Sequence, residues 1–183
     1  MATTGAKFAN ANTTVTTGWT NPTNAYADDG TYTTAAPGKN LSVITDYGFP
    51  AFDTTIIPGN SVIDSMVAEI QFKVSTTSSI ATMGIQLNNN GTLLGSQQTD
   101  ATEPAADTLL THTITVTGNV KLADLQTANQ MKLRVSAIQG NSSTAVTFSV
   151  DYVTLNVTYH LSPHVLEPAM RGAMRGSLVG GQR

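Results

Sequence analysis

The chain is expected to be all-β: an antiparallel jelly-roll-like β-sandwich of about eight strands with an extended C-terminal arm. Three observations predict this. From Ala145 to Tyr159, Val146, Phe148, Val150 and Tyr152 alternate with Thr147, Ser149 and Asp151, the period of two of a half-buried strand. At Tyr152-Val153 the parity slips, and Leu155, Val157 and Tyr159 continue the apolar set, as a β-bulge or a crossing between sheets would require. From Val62 to Val74 a second long strand carries Met66, Ala68, Ile70, Phe72 and Val74 on one face. These two strands are expected at the centre. The third observation is compositional. Only 11% of residues are charged, whereas 30 are threonine. Threonine suits the pleated surface through its branched β-carbon and keeps its hydroxyl wetted.

In order along the chain, residues 1–18 are small and polar around one apolar anchor, Phe8, and read as an arm or an edge strand near Thr13–Thr17. Trp19 to Tyr32 is dense in turn-formers: Asn21-Pro22, Asn24 and Asp28-Asp29-Gly30. Asn40 to Asp46 follows as a strand with Leu41, Val43 and Thr45 on one side. Tyr47 to Pro58, holding two prolines, is expected to wrap an end or edge. Ile80–Leu87 is a strand with Met83, Ile85 and Leu87 inward. Asn90-Gly91 then marks a hairpin, because both residues tolerate positive φ. Residues 95–107 read as the longest polar loop. Leu109–Val116 places Leu110, His112, Ile114 and Val116 on one face, and Met131–Ala137 does the same with its alternate residues. Only Val120–Asn129, with Leu122 and Leu125, has a helical pattern, and it is short. Strands at this spacing with no alternating helices predict a sandwich.

One domain accommodates 183 residues, and burial of roughly 70% of the unfolded surface suffices for stability. The division expected is an N-terminal arm or edge strand at 1–18, the sandwich at 19–160 and the arm at 161–183. With no cysteine, disulfides, thiolate zinc sites and cysteine nucleophiles are excluded. Residues 1–162 hold eleven acids and six bases, net −5, while the last 21 residues are net +2. An acidic body argues against nucleic acid as a ligand. No run reaches the length of a membrane span, and the N-terminus lacks the plan of a signal peptide, so a soluble, cytosolically made protein is expected. The C-terminal stretch carries two prolines, four glycines and a tandem Ala-Met-Arg-Gly. It cannot build a core of its own. Pro163, Val165, Leu166, Met170, Arg171, Met174, Arg175, Leu178 and Arg183 offer adaptable apolar contacts and guanidinium forks, so this arm is expected to clasp a neighbouring subunit.

The spaced residues Trp19-x-Asn21-Pro22-x-Asn24-Ala25, Asp29-Gly30-x-Tyr32, Gly48-Phe49, Ile57-Pro58-x-x-x-Val62 and Val150-Asp151-Tyr152-Val153 resemble a jelly-roll-like domain of bacteriophage virion proteins, especially minor tail and head-associated ones. The resemblance spans residues 19–160 and departs from the pattern around Pro50–Thr55. It implies a structural virion component assembled in the host cytoplasm. A capsid decoration or minor capsid protein is expected, homo-oligomeric and contacting other virion proteins such as major capsid subunits. A tail, neck or collar protein is the alternative within that class. In the N-terminal motif, Trp19 and Tyr32 are expected to plug one end of the sandwich, with Asn21, Asn24 and Asp29 bonding turn backbone.

Six of eleven aromatics fall between residues 19 and 52: Trp19, Tyr26, Tyr32, Tyr47, Phe49 and Phe52. Sugars stack on exposed aromatic faces, so Trp19, Tyr26 and Tyr32 are the candidates of a second alternative, a carbohydrate-binding module for a host-surface glycan. The opposing expectation is that these rings pack the sandwich end; two exposed coplanar rings would reverse it. Asp28, Asp29, Asp46 and Asp53 lack the alternation of a calcium loop and read as turn caps. His112 reads as a satisfied core histidine. His160 and His164 are separated by Pro163, which spoils a helical metal pair. With no nucleophile elbow, zinc helix or phosphate-cradling loop, no catalytic residue, cofactor or metal is expected.

Overall fold

The computed structural model describes residues 1–77, 80–116, 118 and 120–162. The strands are β1 (Ala2–Thr3), β2 (Lys7–Phe8), β3 (Ala11–Thr14), β4 (Trp19–Thr20), β5 (Thr33–Ala35), β6 (Ser42–Gly48), β7 (Ser61–Val74), β8 (Ala81–Asn89), β9 (Thr92–Asp100), β10 (Thr108–Thr115), β11 (Met131–Gln139) and β12 (Phe148–Leu161). A 3₁₀ turn at Pro22–Ala25 and α1 (Leu122–Gln126) complete the described elements. Eight of the twelve strands have four or more residues; the four shorter ones all lie on the β12 side of the larger sheet, away from β7, and are too short for sequence periodicity to show itself.

The strands form two antiparallel sheets. The larger runs β10-β7-β12-β5-β4, with β1 and β2 also on β12; the smaller runs β3-β6-β11-β8-β9. From β6 onward the chain changes sheet at every connection except the β8–β9 hairpin. This is a jelly-roll-like β-sandwich. The two longest strands, β7 and β12, pair at its centre because each carries an unbroken apolar face. Met66, Ala68, Ile70 and Phe72 of β7 meet Phe148, Val150, Val153, Leu155 and Val157 of β12. Opposite them, in the smaller sheet, lie Met83, Ile85 and Leu87 of β8, Leu133, Val135 and Ala137 of β11, and Tyr47 of β6. Burial of these side chains stabilises the sandwich by roughly 1.5–3 kcal/mol per large apolar residue relative to exposure.

The parity slip on β12 is a bulge. Val150 faces Phe72 and Val153 faces Ile70, so Asp151 and Tyr152 together stand opposite Gln71. The extra residue transfers the apolar set to the other parity without turning the strand over. Asn90 (φ 45°) and Gly91 (φ 100°) form the β8–β9 hairpin turn between the paired residues Asn89 and Thr92. Asn88 Oδ1 accepts the Gly91 N–H at 2.7 Å, fixing that turn.

Several expectations are corrected. Residues 95–100 are strand, not loop, so the loop begins only at Ala101. Gly-Ser-Gln-Gln-Thr-Asp reads as loop because β9 is an edge strand with most residues exposed, and neither face needs apolar side chains. The N-terminal edge strand lies at Ala11–Thr14 rather than Thr13–Thr17, paired with β6. Leu41 precedes β6 and is 61% exposed, leaving Val43, Thr45 and Tyr47 as the inward set. Tyr47 therefore lies within β6, which runs on to Gly48, instead of opening the wrapping segment.

Candidate functional site on the outer face of the larger sheet

With the apolar residues of β7 and β12 turned inward, their alternates form the outer face. Thr111, Glu69, Thr154 and Phe8 stand in one row across β10, β7, β12 and β2. Thr113, Val67 and Asn156 make the next row, and Thr115, Ser65, Thr158 and Thr3 the one after. Hydroxyls, one amide and Val67 thus floor the face, with Glu69 as the sole charge in these rows; Thr154, next to Phe8, is itself buried. Threonine does this because it satisfies strand geometry on an open surface without an apolar cost.

Two rings rise from this floor. Phe8 is 40% exposed on β2. The bulge sends Tyr152 outward beside it, with ring centroids 6.0 Å apart and planes at 83°. Carboxylates surround the pair. The Tyr152 phenol is held above its ordinary value, first by burial and then by the negative charges of Asp28, Glu69 and Asp151. Asp151 is 3% exposed and accepts the Gly30 N–H at 3.1 Å. Burial raises its pKa most, with Asp28 and Asp29 adding repulsion and the backbone N–H groups of Asp29 and Gly30 opposing.

The two halves of the spaced motif converge here although Gly30 and Asp151 lie 121 residues apart. Gly30, at φ +73°, donates to Asp151. Tyr26 bridges Tyr152, and Thr33 pairs with Val150. Asn24 Nδ2 donates to the Tyr32 carbonyl at 2.9 Å, and Asp29 accepts the Thr31 N–H at 2.8 Å. Asn21 makes no side-chain cap at the 3₁₀ turn; its own left-handed backbone (φ 50°) starts that turn instead. The motif is a brace holding the turn-rich segment on the β12 bulge.

Of the three sequence-selected aromatics, each has a partner or a packed face. Trp19 is half-buried against the core, and its Nε1 is buried without a hydrogen-bond partner. The Tyr26 hydroxyl donates to Asn12 Oδ1 at 2.8 Å, and its ring meets Tyr47 edge-on at 6.4 Å. Tyr32 donates to Asp107 at 2.7 Å, and one ring face is covered by Lys73 Nζ, 3.7 Å from the centroid. Tyr47, Phe49 and Phe52 are fully buried. No coplanar pair occurs among the described rings. Phe8 was expected as an apolar anchor and Tyr152 as an inward residue, and neither was among the glycan-facing candidates. The signal was the parity slip: a residue inside a bulge does not follow the alternation that placed Tyr152 inward. The arm residues from Pro163 to Arg183 lie outside the described residues.

Three of the four aspartates weighed for a cation are otherwise engaged, Asp29 with the Thr31 N–H as described. Asp53 caps Thr55, and Asp46 receives Arg134 Nε at 2.8 Å, Arg134 Nη2 at 3.0 Å and Asn88 Nδ2 at 2.9 Å. Among the described residues no group of three or more His, Cys, Asp or Glu is arranged to hold a metal. His160 Nδ1 lies 2.7 Å from Asp64, and His164 is outside the described residues.

No protein-family model matches the chain, and no curated protein matches it. Solved structures do. A CBM4 carbohydrate-binding module aligns at a TM-score of 0.47 and 14% identity, over 72% of this chain and 87% of its own. TmCBM61, in complex with β-1,4-galactotriose, aligns at 0.40 and 7% identity, over 79% and 86%. The naturally occurring empty particle of cowpea mosaic virus aligns at 0.36 and 9% identity, over 74% and 86%. At such identities the likeness is one of fold alone.

Proposed function

We propose that the chain is a non-catalytic β-sandwich module that binds carbohydrate on the outer face of its larger sheet. The observation that carries this reading is the outward pair Phe8 and Tyr152 beside rows of threonine and serine hydroxyls and the Asn156 amide. An aromatic face attracts the C–H edge of a pyranose, since the π surface is its negative side. Nearby hydroxyls and amides exchange hydrogen bonds with sugar hydroxyls at little desolvation cost compared with ions. The carboxylates around Tyr152 select neutral or amine-bearing sugars over uronic or sialic acids.

A glycan array probed with the full chain, followed by calorimetry on any hit, tests it. Phe8→Ala removes an exposed ring and is expected to weaken binding about tenfold, some 1.4 kcal/mol. An empty array, equal affinity in Phe8→Ala, or preference for acidic glycans overturns the assignment.

A second reading is favoured by a different observation, the convergence of the spaced motif on the β12 bulge. On that reading the chain is a bacteriophage structural protein, a capsid decoration or minor capsid subunit, or a tail, neck or collar subunit. It assembles with copies of itself and with other virion proteins through residues 163–183. The two readings are compatible, since a virion surface module that binds glycan attaches the particle to its host. Co-sedimentation with particles assembled from the proteins encoded beside it is the test. Loss of incorporation on removing residues 163–183 supports the arm's role, and unchanged incorporation refutes it.

A further inference from the structure

His112 belongs to β10 of the larger sheet, yet both of its ring nitrogens are spent on the smaller one. It is 1% exposed. The Leu87 N–H of β8 donates to Nδ1 at 3.2 Å, and Nε2 lies 2.9 Å from the Ser96 carbonyl of β9. An amide N–H needs a lone pair and a carbonyl needs a hydrogen. The contacts therefore fix the neutral ring with its proton on Nε2.

Strand β9 is irregular at this place. Ile85 faces Gln98 and Leu87 faces Leu94, so residues 95–97 stand opposite Gln86 alone. Gly95, at φ +66°, brings the backbone close: a Cβ there would lie 3.4 Å from His112 Nε2 and 3.1 Å from Ile114 Cγ2. The larger and smaller sheets share no ladder on this side, where β9 and β10 are both edges. A cleft of about 340 Å³ opens between them, lined by Leu94, Gly95, Thr113 and Ile114 among others. The imidazole is a polar tie across that seam.

We propose that His112 is an acid-operated latch between the two sheets. Neutral, it holds β10 to β8 and β9. When Nδ1 takes a proton from solvent, the Leu87 N–H loses its acceptor and faces a second donor, and the β9–β10 side of the sandwich opens.

The ionisable groups on the surrounding strands leave the histidine alone. β10 and β8 carry no other ionisable side chain. The single one on β9, Asp100, caps Thr102 at the far end of the strand. On β7, Glu69 lies on the outer face against Thr111, Asp64 contacts His160, and Lys73 contacts Asp107. Asp124 of α1 bonds Asn89. On β11 Arg134 is committed to Asp46, and Lys132 alternates with the buried Met131 and Leu133. No carboxylate is thus shown stabilising an added proton. Burial lowers the His112 pKa below its ordinary 6.5, and the Ser96 carbonyl only partly opposes this. The latch is closed above about pH 6.5 and its contribution is lost as pH falls towards the folded-state value.

Hydrogen exchange of the full chain between pH 7.5 and 4.5, corrected for intrinsic rates, tests it. Protection of the Leu87 amide and of the β9 amides near Ser96 is expected to fall by up to tenfold per pH unit between pH 6.5 and the histidine's lower folded-state value, and to level off below it. His112→Gln retains an acceptor and a donor without titrating, and should flatten that dependence. Should this variant fail to fold, a titration of the wild-type ring nitrogens by NMR decides: Nε2–H at neutral pH and protonation below 6.5 are expected. Protection independent of pH, the same acid loss in His112→Gln, or a pKa at or above 6.5 overturns the proposal.

Discussion

Arg134→Met is the perturbation with the most to say about how the outer face of the smaller sheet is held. Arg134 of β11 stands directly opposite Asp46 of β6. The guanidinium gives that carboxylate two parallel N–H bonds, at 2.8 and 3.0 Å, and Asn88 on β8 supplies a third at 2.9 Å. One carboxylate thus joins the three central strands of the sheet. The side chains retain 24% and 8% of their accessible surface, so neither is fully shielded. Removing one partner of a buried pair costs roughly 3–5 kcal/mol. Screening at the partly exposed guanidinium reduces this, and Arg134→Met is expected to cost about 2–3 kcal/mol. In a chain of this size that lowers the melting temperature by roughly 4–12 °C. The double variant Asp46→Leu/Arg134→Met carries no orphaned charge and should return to within about 1 kcal/mol of wild type. Chemical denaturation of the four proteins of the cycle measures the coupling. A loss under about 0.5 kcal/mol in the single variant, or additive losses in the double, would refute the reasoning.

The other outcomes follow from local geometry. Asp151→Asn keeps an oxygen for the Gly30 N–H while removing a carboxylate that burial and its acidic neighbours disfavour. A carboxyl whose folded pKa is raised above its ordinary 3.8 helps stability below that value and loses this help as pH rises through the folded pKa. The variant should therefore exceed wild type in urea midpoint at pH 7, with the difference shrinking at pH 3. Gly91→Ala meets no atom within 4 Å, but its φ of +100° disfavours a side chain. Strain alone is expected to cost about 1 kcal/mol, read as a shifted urea midpoint with an unchanged slope.

Sequence patterning made the centre of the fold legible, because β7 and β12 are long and their apolar faces repeat. The Tyr152-Val153 slip announced the bulge, and Asn90-Gly91 announced the hairpin through its tolerance of positive φ. His112 was legible as a satisfied core residue, although not as a tie between sheets, since its partners are backbone groups on β8 and β9. The site was less visible. Alternation is read by counting twos, and a bulge suspends the count at the residue that becomes the outward tyrosine. Edge strand β9 looked like loop because an exposed strand needs no apolar face. Asp46 and Arg134 lie 88 positions apart, and no local pattern records such a pairing.

The N-terminal residues have a consequence for how the molecule assembles itself. Ala2 and Thr3 pair with Tyr159 and Thr158, and Lys7 and Phe8 with Leu155 and Thr154, whereas Ala11–Thr14 join the opposite sheet. On a ribosome these opening residues wait, unpaired, until nearly the whole domain has emerged. Closing so large a loop of chain is entropically slow, so the seam they fasten should be the last part of the sandwich to zip shut.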